Sequence, residues 1–214
     1  MENKIIDFPK IKSPFKRETI DGKYVVTPKI EDGYEWIFDD GVLAVDKLHG
    51  TNICVYYDEG KITHISNRTQ LVMTRDDSLF DLPRDKARIA HGVLNSIEKG
   101  LFAVPKAREG SGKIYGELIG PKINGNIHKV DRYYFVPFDY LKERCHWRSW
   151  VSNKYPKDFD SIDMWFKELI SLFTKKMTKK EEYAEGLVFY HPDGRKAKLR
   201  RDMYSWYYNK QKEN

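Results

Sequence analysis

Hydrophobic residues in this chain recur mainly in short alternating or wholly apolar runs. Such runs predict β-strands, because successive side chains of a strand point to opposite faces of a sheet. The predicted strands are residues 42–48, 53–57, 61–66, 113–118, 133–139, 186–190 and 195–199. Gly-containing turns at 58–60 and 191–194 join neighbouring runs and are typical of antiparallel hairpins.

Two segments instead show the spacing of amphipathic helices. The first is 84–99, with an apolar stripe that Gly100 ends, and the second is 161–175. Strands interrupted by scattered helices predict an α+β fold with antiparallel sheets. The chain contains no P-loop and no βαβ dinucleotide fingerprint, so any nucleotide must bind at a different kind of site.

The composition is that of a folded protein, and its net positive charge permits a polyanionic partner. The chain has 214 residues, 40% hydrophobic and 33% charged, with a formal charge of +6. Two distant cysteines fit no metal-binding spacing and favour a reduced, cytoplasmic location. No apolar run approaches the roughly 20 residues of a membrane span, so we expect no membrane partner.

One segment carries candidate chemistry: Asp46 to Asn52, which reads DKLHGTN. It places a lysine at a strand end just before a glycine turn, where a phosphate can approach the backbone. Alone, the segment is more typical of an exposed strand-end lysine before a turn. Further short motifs follow in order: SNRT at 66–69, YGEL at 115–118, YFVPFD at 134–139, EGLV at 185–188 and KAKL at 196–199.

This series resembles the covalent nucleotidyltransferase superfamily of ATP-dependent ligases and capping enzymes, and most closely RNA ligases of the RNA ligase 2 type. The family's first motif, K-x-H-G-T-N, is reproduced from Lys47 to Asn52. Glu117 follows Lys47 by 70 residues, Glu185 follows Glu117 by 68, and Lys198 follows Glu185 by 13. This long, long, short spacing is similar to that of the superfamily. The resemblance covers residues 42–199.

The resemblance implies an antiparallel-sheet adenylation-domain fold in one minimal domain. That domain is expected to span residues 1–214, with a motif-bearing core at 42–199, a short tail at 200–214 and no separate OB domain. The tail aromatics, Tyr204 and Trp206 to Tyr208, suit either RNA stacking or a helix that closes the sheet, and we favour the helix.

The resemblance also implies that Lys47 is the nucleophile that takes AMP from ATP. Only a neutral amine attacks, and an ordinary lysine has a pKa of about 10.4, so nearby cations must favour the free amine. Lys196 and Lys198 are the expected cations, and they are also expected to stabilise the α-phosphoryl oxygens of the nucleotide.

The remaining site residues take their roles from the same resemblance. Glu185 is expected to organise Mg²⁺ or Mn²⁺, and Glu117 to contact the ribose of AMP. Arg68 is expected at the ribose or a phosphate, Phe135 against adenine, and Asp46 at the adenine amino group. His49 and Asn52 are candidates for binding RNA. Each residue also has a purely structural interpretation. The two glutamates could form surface ion pairs, Arg68 could lie in a turn, and Phe135 could belong to the core.

The function so implied is an ATP-dependent RNA ligase. It would pass AMP from lysine to an RNA 5′-phosphate and then seal that end to a 3′-hydroxyl, with the ends nicked or held in a duplex. Because no separate OB domain is expected, an accessory protein is a possible partner for the sealing step. The alternatives are a GTP-dependent capping-type guanylyltransferase, which the histidine at position 49 disfavours, and a catalytically degenerate RNA-binding module.

Overall fold

The computed structural model describes residues 8–100, 110–148 and 158–209. The strands are β1 Phe15–Ile20, β2 Lys23–Ile30, β3 Leu43–Lys47, β4 Thr51–Asp58, β5 Lys61–Asn67, β6 Leu71–Thr74, β7 Gly112–Ile119, β8 Tyr134–Pro137, β9 His146–Arg148, β10 Gly186–Tyr190 and β11 Lys196–Arg200. The helices are α1 Arg84–Glu98, α2 Phe138–Arg144, α3 Phe159–Glu168, α4 Leu172–Thr178 and α5 Ser205–Asn209.

The strand pairs confirm the predicted fold class. Every paired strand in the described ranges runs antiparallel to its neighbour. The two predicted hairpins are present, as β4 with β5 and β10 with β11. Helix α1 begins at Arg84, as predicted, and ends one residue before the predicted end.

The chain divides into two compact units. The first comprises Met1–Pro9 and His49–Tyr140, and the second comprises Lys10–Leu48 and Leu141–Asn214. The alternating patterns did not indicate this division, because each unit is built from segments that are distant in sequence. The predicted single-domain organisation stays a prediction.

The first unit contains a five-stranded sheet in the order β6-β5-β4-β7-β8. Helix α1 packs on one face, where apolar side chains of the sheet and helix form a core. Its buried members are Ile53, Val55, Ile65, Val72, Ala90, Val93, Leu118, Ile123 and Phe135. Because side chains alternate along a strand, Asn52 and Glu117 lie on the opposite face.

The second unit contains a four-stranded sheet in the order β11-β10-β3-β9 and the separate hairpin β1-β2. One sheet face is apolar and contributes Ala44, Leu187, Phe189, Ala197 and Leu199 to a core shared with helix α3. The other face carries the alternate residues, including the candidate lysines. This division of faces therefore determines which motif residues lie together.

Two sequence predictions are wrong in extent. The helix predicted at 161–175 is two helices, because Leu169 has extended backbone angles (φ −68°, ψ 111°). Its carbonyl accepts from the Ala184 amide at 2.9 Å, and the Ser171 amide donates to the Glu182 carbonyl at 2.9 Å. These links replace helical hydrogen bonds. The strand predicted at 133–139 ends at Pro137, and α2 begins at the next residue, Phe138.

Several elements were not among those predicted, because their runs are short or polar. They are β1, β2, β6, β9 and α2. Helix α5 agrees with the helical expectation for the tail, and Trp206 packs against the second unit's core. Within the described ranges, no helix is long and apolar enough to cross a membrane.

Candidate functional site

Lys47 is the last residue of β3, and its amine is held by a carboxylate. Lys47 Nζ lies 2.6 Å from Glu185 Oε2, and both side chains are largely shielded from solvent, with 20% and 13% exposed. Glu185 directly precedes β10, whose first residue, Gly186, pairs with Lys47. The strand register therefore places the two predicted residues together, although 138 positions separate them in sequence.

Lys196 and Lys198 lie on the same sheet face as Lys47. Val188 of β10 pairs with Val45 of β3 on one side and with Lys198 of β11 on the other. Val45 and Lys47 point to the same face of β3, so Lys198 lies on the face of Lys47, with β10 between them. The intervening residues of β11 are buried in the core, which leaves the lysines half-exposed on the other face. Lys196 Nζ lies 5.6 Å from the centre of the Tyr190 ring. This face concentrates positive charge where an anionic phosphate chain is expected to bind.

Arg200 extends this basic face and was not among the predicted site residues. It pairs with Gly186, which also pairs with Lys47, so the three residues occupy one row of the sheet. Its guanidinium forms an ion pair with Asp202 at 2.9 Å. The signal was present in the sequence, because Lys196, Lys198 and Arg200 follow the i, i+2, i+4 spacing of one strand face.

Asp46 has the opposite orientation and is buried on the core side of β3. Its Oδ2 accepts from the Phe173 amide at 2.9 Å and from the Ser171 hydroxyl at 2.8 Å. Burial, opposed by these hydrogen bonds, raises the pKa of the Asp46 carboxyl to about 6. The carboxylate thus joins β3 to the start of α4. Its predicted contact with adenine stays a prediction.

The motif turn after Lys47 is held by side chains of the first unit. The Gly50 amide donates to Glu117 Oε1 at 3.0 Å, and the His49 amide donates to His128 Nε2 at 2.8 Å. Asn124 Nδ2 donates to the Gly50 carbonyl at 2.5 Å. The sequence did not single out His128 or Asn124, because neither belongs to a motif that resembles the family's.

Glycine is required at position 50 because the backbone approaches closely there. A Cβ on Gly50 would lie 2.3 Å from the Leu118 carbonyl oxygen. Next along β4, Asn52 pairs with Glu117, so these two predicted residues are neighbours on one sheet face. Arg68 lies in the exposed turn between β5 and β6.

The position of Phe135 corrects one prediction. Its side chain is 1% exposed within the core beneath α1, on the sheet face opposite Glu117. A ring there packs against protein, so we withdraw its predicted stacking on adenine. A separate aromatic cluster lies elsewhere in the first unit. The centre of its Phe8 ring is 5.3 Å from that of Tyr115 and 5.0 Å from that of Phe138. Tyr115 shares the sheet face of Glu117.

The described residues contain no cluster of three or more His, Cys, Asp or Glu side chains suited to a metal ion. Glu185 instead offers a single, partly shielded carboxylate. Mg²⁺ commonly uses one or two carboxylates and completes its shell with water and substrate phosphates. Glu185 therefore fits a metal that arrives with a nucleotide, and does not form a metal cage by itself.

The predicted residues thus fall into two groups, one in each unit. The second unit brings together Lys47, Glu185, Lys196 and Lys198 on one sheet face, with Asp46 directed to the other. The first unit places Asn52 beside Glu117, and Glu117 holds the turn at His49 and Gly50. Phe135 lies apart from both groups.

Comparison with known proteins gives one sequence match and several structural ones. A family model described as RNA ligase matches residues 41–204. No curated protein matches the chain. A Naegleria gruberi RNA ligase variant without ligand aligns at 17% identity and a TM-score of 0.49, covering 97% of this chain and 64% of the other.

Two further variants of the Naegleria gruberi enzyme give similar values. One, with ATP and Mn, aligns at 17% identity and a TM-score of 0.45, covering 84% of this chain and 54% of its own. The other, with AMP and Mn, aligns at 15% identity and 0.45, with coverages of 95% and 62%. The chain spans between about half and two-thirds of the length of these solved chains. The family assignment rests on the sequence match alone.

Proposed function

The chain belongs to the RNA ligase family, and on this premise we propose that it is an ATP-dependent RNA ligase in which Lys47 carries AMP. The observation that supports this most directly is the strand-end Lys47, paired with Glu185 at 2.6 Å on the face that carries Lys196 and Lys198. Nucleotidyl transfer to an amine needs a lysine nucleophile and nearby positive charge that stabilises the phosphoryl oxygens. In this proposal the carboxylate holds the metal ion.

In the first step, Lys47 Nζ attacks the α-phosphorus of ATP. The P–N bond forms as the bond to the bridging oxygen breaks, pyrophosphate leaves, and the nitrogen loses its protons to solvent. Lys47 must first leave its ion pair with Glu185, which frees both the amine and the carboxylate. Lys196 and Lys198 are oriented by their strand to offset the charge that develops on the phosphoryl oxygens.

Two of the solved Naegleria gruberi variants hold nucleotide, one ATP with Mn and the other AMP with Mn, and for this chain we propose ATP as the AMP donor. In this proposal Glu117 contacts the ribose and Arg68 the ribose or a phosphate. The half-buried rings of Phe8, Tyr115 and Phe138 are tilted relative to one another, and in this proposal one of them supplies the aromatic face for adenine in place of Phe135.

Glu185 is the residue that would hold Mg²⁺ or Mn²⁺. Such an ion, when bound, neutralises phosphate charge during transfer. A single carboxylate suits this role, because the ion keeps much of its water and takes other ligands from the phosphates.

The RNA steps complete the proposed reaction. The 5′-phosphate of RNA attacks the phosphorus of lysyl-AMP, which releases Lys47 and forms an AMP-capped end. A 3′-hydroxyl then attacks the 5′-phosphorus of that end and AMP leaves. His49 and Asn52 are proposed to bind the RNA ends. The substrate is a nicked or duplex-held RNA, as in RNA repair, and an accessory protein is compatible with this scheme.

The test is the intact mass of the purified protein after incubation with Mg²⁺ and ATP, with GTP in parallel. We expect a gain of one AMP, about 329 Da, from ATP only. Lys47→Ala should form no adduct, whereas Lys175→Ala, which removes an exposed lysine from the same unit, should label like the unmodified chain. Absence of an adduct in the folded protein, or its persistence in Lys47→Ala, would contradict the proposal.

If the adduct forms, the labelled protein is mixed with nicked duplex RNA. Transfer of AMP to the 5′-phosphate and sealing of the nick are then followed by gel electrophoresis. Labelling by GTP instead of ATP would support the capping alternative, and tight RNA binding without labelling would support the RNA-binding alternative.

A further inference from the structure

The turn that follows the proposed nucleophile is fixed from a segment outside the family motifs. His128 Nε2 accepts from the His49 amide at 2.8 Å, and Asn124 Nδ2 donates to the Gly50 carbonyl at 2.5 Å. Two main-chain groups of consecutive motif residues are thus bound by two side chains only four positions apart. We call these two side chains, His128 and Asn124, the turn clamp.

The segment that carries the turn clamp is itself closely constrained. Asn124, Asn126 and Lys129 have positive φ values of 41°, 48° and 47°, a backbone region that few non-glycine residues adopt. The Asn126 side chain donates to the Val130 carbonyl at 2.9 Å and accepts from the Val130 amide at 3.1 Å. Backbone strain of this kind persists only where surrounding contacts hold it.

Buried apolar residues anchor both ends of this segment. Ile123 is 4% exposed and Val130 is 2% exposed, and Ile123 belongs to the core beneath α1. The turn clamp is therefore mounted on a core-anchored loop. A rigid support of this kind is what a group needs if it is to position another residue.

His128 is buried, at 1% exposure. An imidazole nitrogen accepts a hydrogen bond only when it carries no proton, so the contact with the His49 amide requires neutral His128 with its proton on Nδ1. If the acceptor is removed, the part-buried hydrogen bond from the His49 amide is lost. The turn would then gain freedom at the residue proposed to bind RNA.

We propose that His128 and Asn124 are positioning residues, which hold the turn at His49 and Gly50 so that the His49 imidazole is oriented for the RNA 5′-phosphate. This rests on the proposed ligase function and adds to it two residues outside the motifs. In this proposal the turn clamp acts through the main chain of His49 and Gly50. Misplacement of a binding group by about 1 Å can lower a rate about 100-fold.

The test separates the two chemical steps in variants of the turn clamp. His128→Phe keeps a flat ring without an acceptor, and His128→Gln restores an acceptor oxygen near the Nε2 position. Asn124→Asp keeps the side-chain shape and tolerates positive φ but removes the donor. His91→Phe, an exposed histidine in the same unit, is the matched control.

For each variant, lysyl-AMP formation is followed by intact mass, and AMP transfer from the isolated adduct to nicked RNA is followed in a single turnover. We expect His128→Phe and Asn124→Asp to lower the ratio of the transfer rate to the labelling rate by about 10- to 100-fold. His128→Gln should recover most of that loss, and His91→Phe should match the unmodified chain.

Two results would overturn the proposal. One is an unchanged ratio in a folded His128→Phe variant. The other is an equal loss in both steps that His128→Gln does not recover, which indicates a structural role only.

Amide hydrogen exchange at His49 gives a readout that does not require activity. Exchange should accelerate in His128→Phe, and His128→Gln should restore protection. If the unmodified chain forms no adduct, the ligase proposal fails. Protection at His49 that depends on His128 then still supports the turn clamp, and protection that does not depend on it refutes the turn clamp.

Discussion

Replacement of Asp46 by asparagine should remove a pH-dependent contribution to stability. The carboxyl is 1% exposed, and burial raises its pKa from the ordinary value of 3.8 to about 6. Because the folded state holds this proton more tightly than the unfolded state, the contribution of Asp46 is fully present below about pH 3.8 and is lost as the pH rises through about 6.

The magnitude follows from the difference between those two pKa values. At about 1.4 kcal/mol for each pH unit, it corresponds to about 3 kcal/mol of unfolding free energy between about pH 3.5 and 7.5. The amide introduced by Asp46→Asn would not titrate, but its carbonyl would still accept from the Phe173 amide and the Ser171 hydroxyl. The stability of Asp46→Asn relative to the unmodified chain should therefore rise by about 3 kcal/mol over that range.

Urea unfolding followed by tryptophan fluorescence suits this measurement. The tryptophans that the structure describes belong to the unit that contains Asp46, namely Trp36, Trp147, Trp165 and Trp206. The difference between variant and unmodified chain cancels the titration of other carboxylates. Asp46→Ala is the control, because it also removes the titration but deletes the acceptor of the hydrogen bonds from the Phe173 amide and the Ser171 hydroxyl. Its curve should run parallel to that of Asp46→Asn and about 1–3 kcal/mol lower.

A difference that stays within about 0.5 kcal/mol from about pH 3.5 to 7.5, or that falls with rising pH, would refute the reasoning. The same variants test the predicted adenine contact of Asp46. If that contact exists, ATP binding should weaken in Asp46→Asn at a pH where both proteins are fully folded. Unchanged ATP affinity would contradict the contact and leave Asp46 with the helix-linking role alone.

Three further perturbations follow from the described contacts. Gly186→Ala should destabilise the second unit by about 3 kcal/mol or more, because the new Cβ would lie 2.1 Å from the Leu199 carbonyl oxygen; an unchanged melting temperature would contradict this. Arg201→Met should cost about 2–4 kcal/mol, since the buried guanidinium donates to the Phe166 carbonyl, and urea unfolding measures the loss; Arg201→Lys should recover only part of it. The two buried cysteines should resist alkylation at neutral pH until the chain unfolds, because burial raises both thiol pKa values; rapid labelling of the folded protein would contradict this.

Local sequence determined much of the fold. Alternating apolar residues and glycine turns predicted both hairpins, and the apolar stripe of α1 with its glycine stop predicted that helix to within one residue. The alternation of β11 also contains the information that Lys196 and Lys198 share a face. These features depend on neighbours within a few residues, which is why a single sequence reveals them.

Motif resemblance predicted the candidate chemistry without its geometry. The ion pair of Lys47 with Glu185 depends on strand register, which no spacing in the sequence states. The same limit explains the error at Phe135. A strand residue points to one of two faces, and only the packed sheet showed that Phe135 faces the core while Glu117 faces away.

Tertiary structure alone decided the contacts between distant segments. The interruption between α3 and α4 arises from pairing with residues 182–184, and the hydrogen bonds that link Asp46 to α4 arise from the approach of α4 to β3. The hydrogen bond from His49 to His128 spans 79 positions. Such contacts form because buried polar groups must find partners wherever the fold brings them, and a local pattern carries no record of which partner that will be.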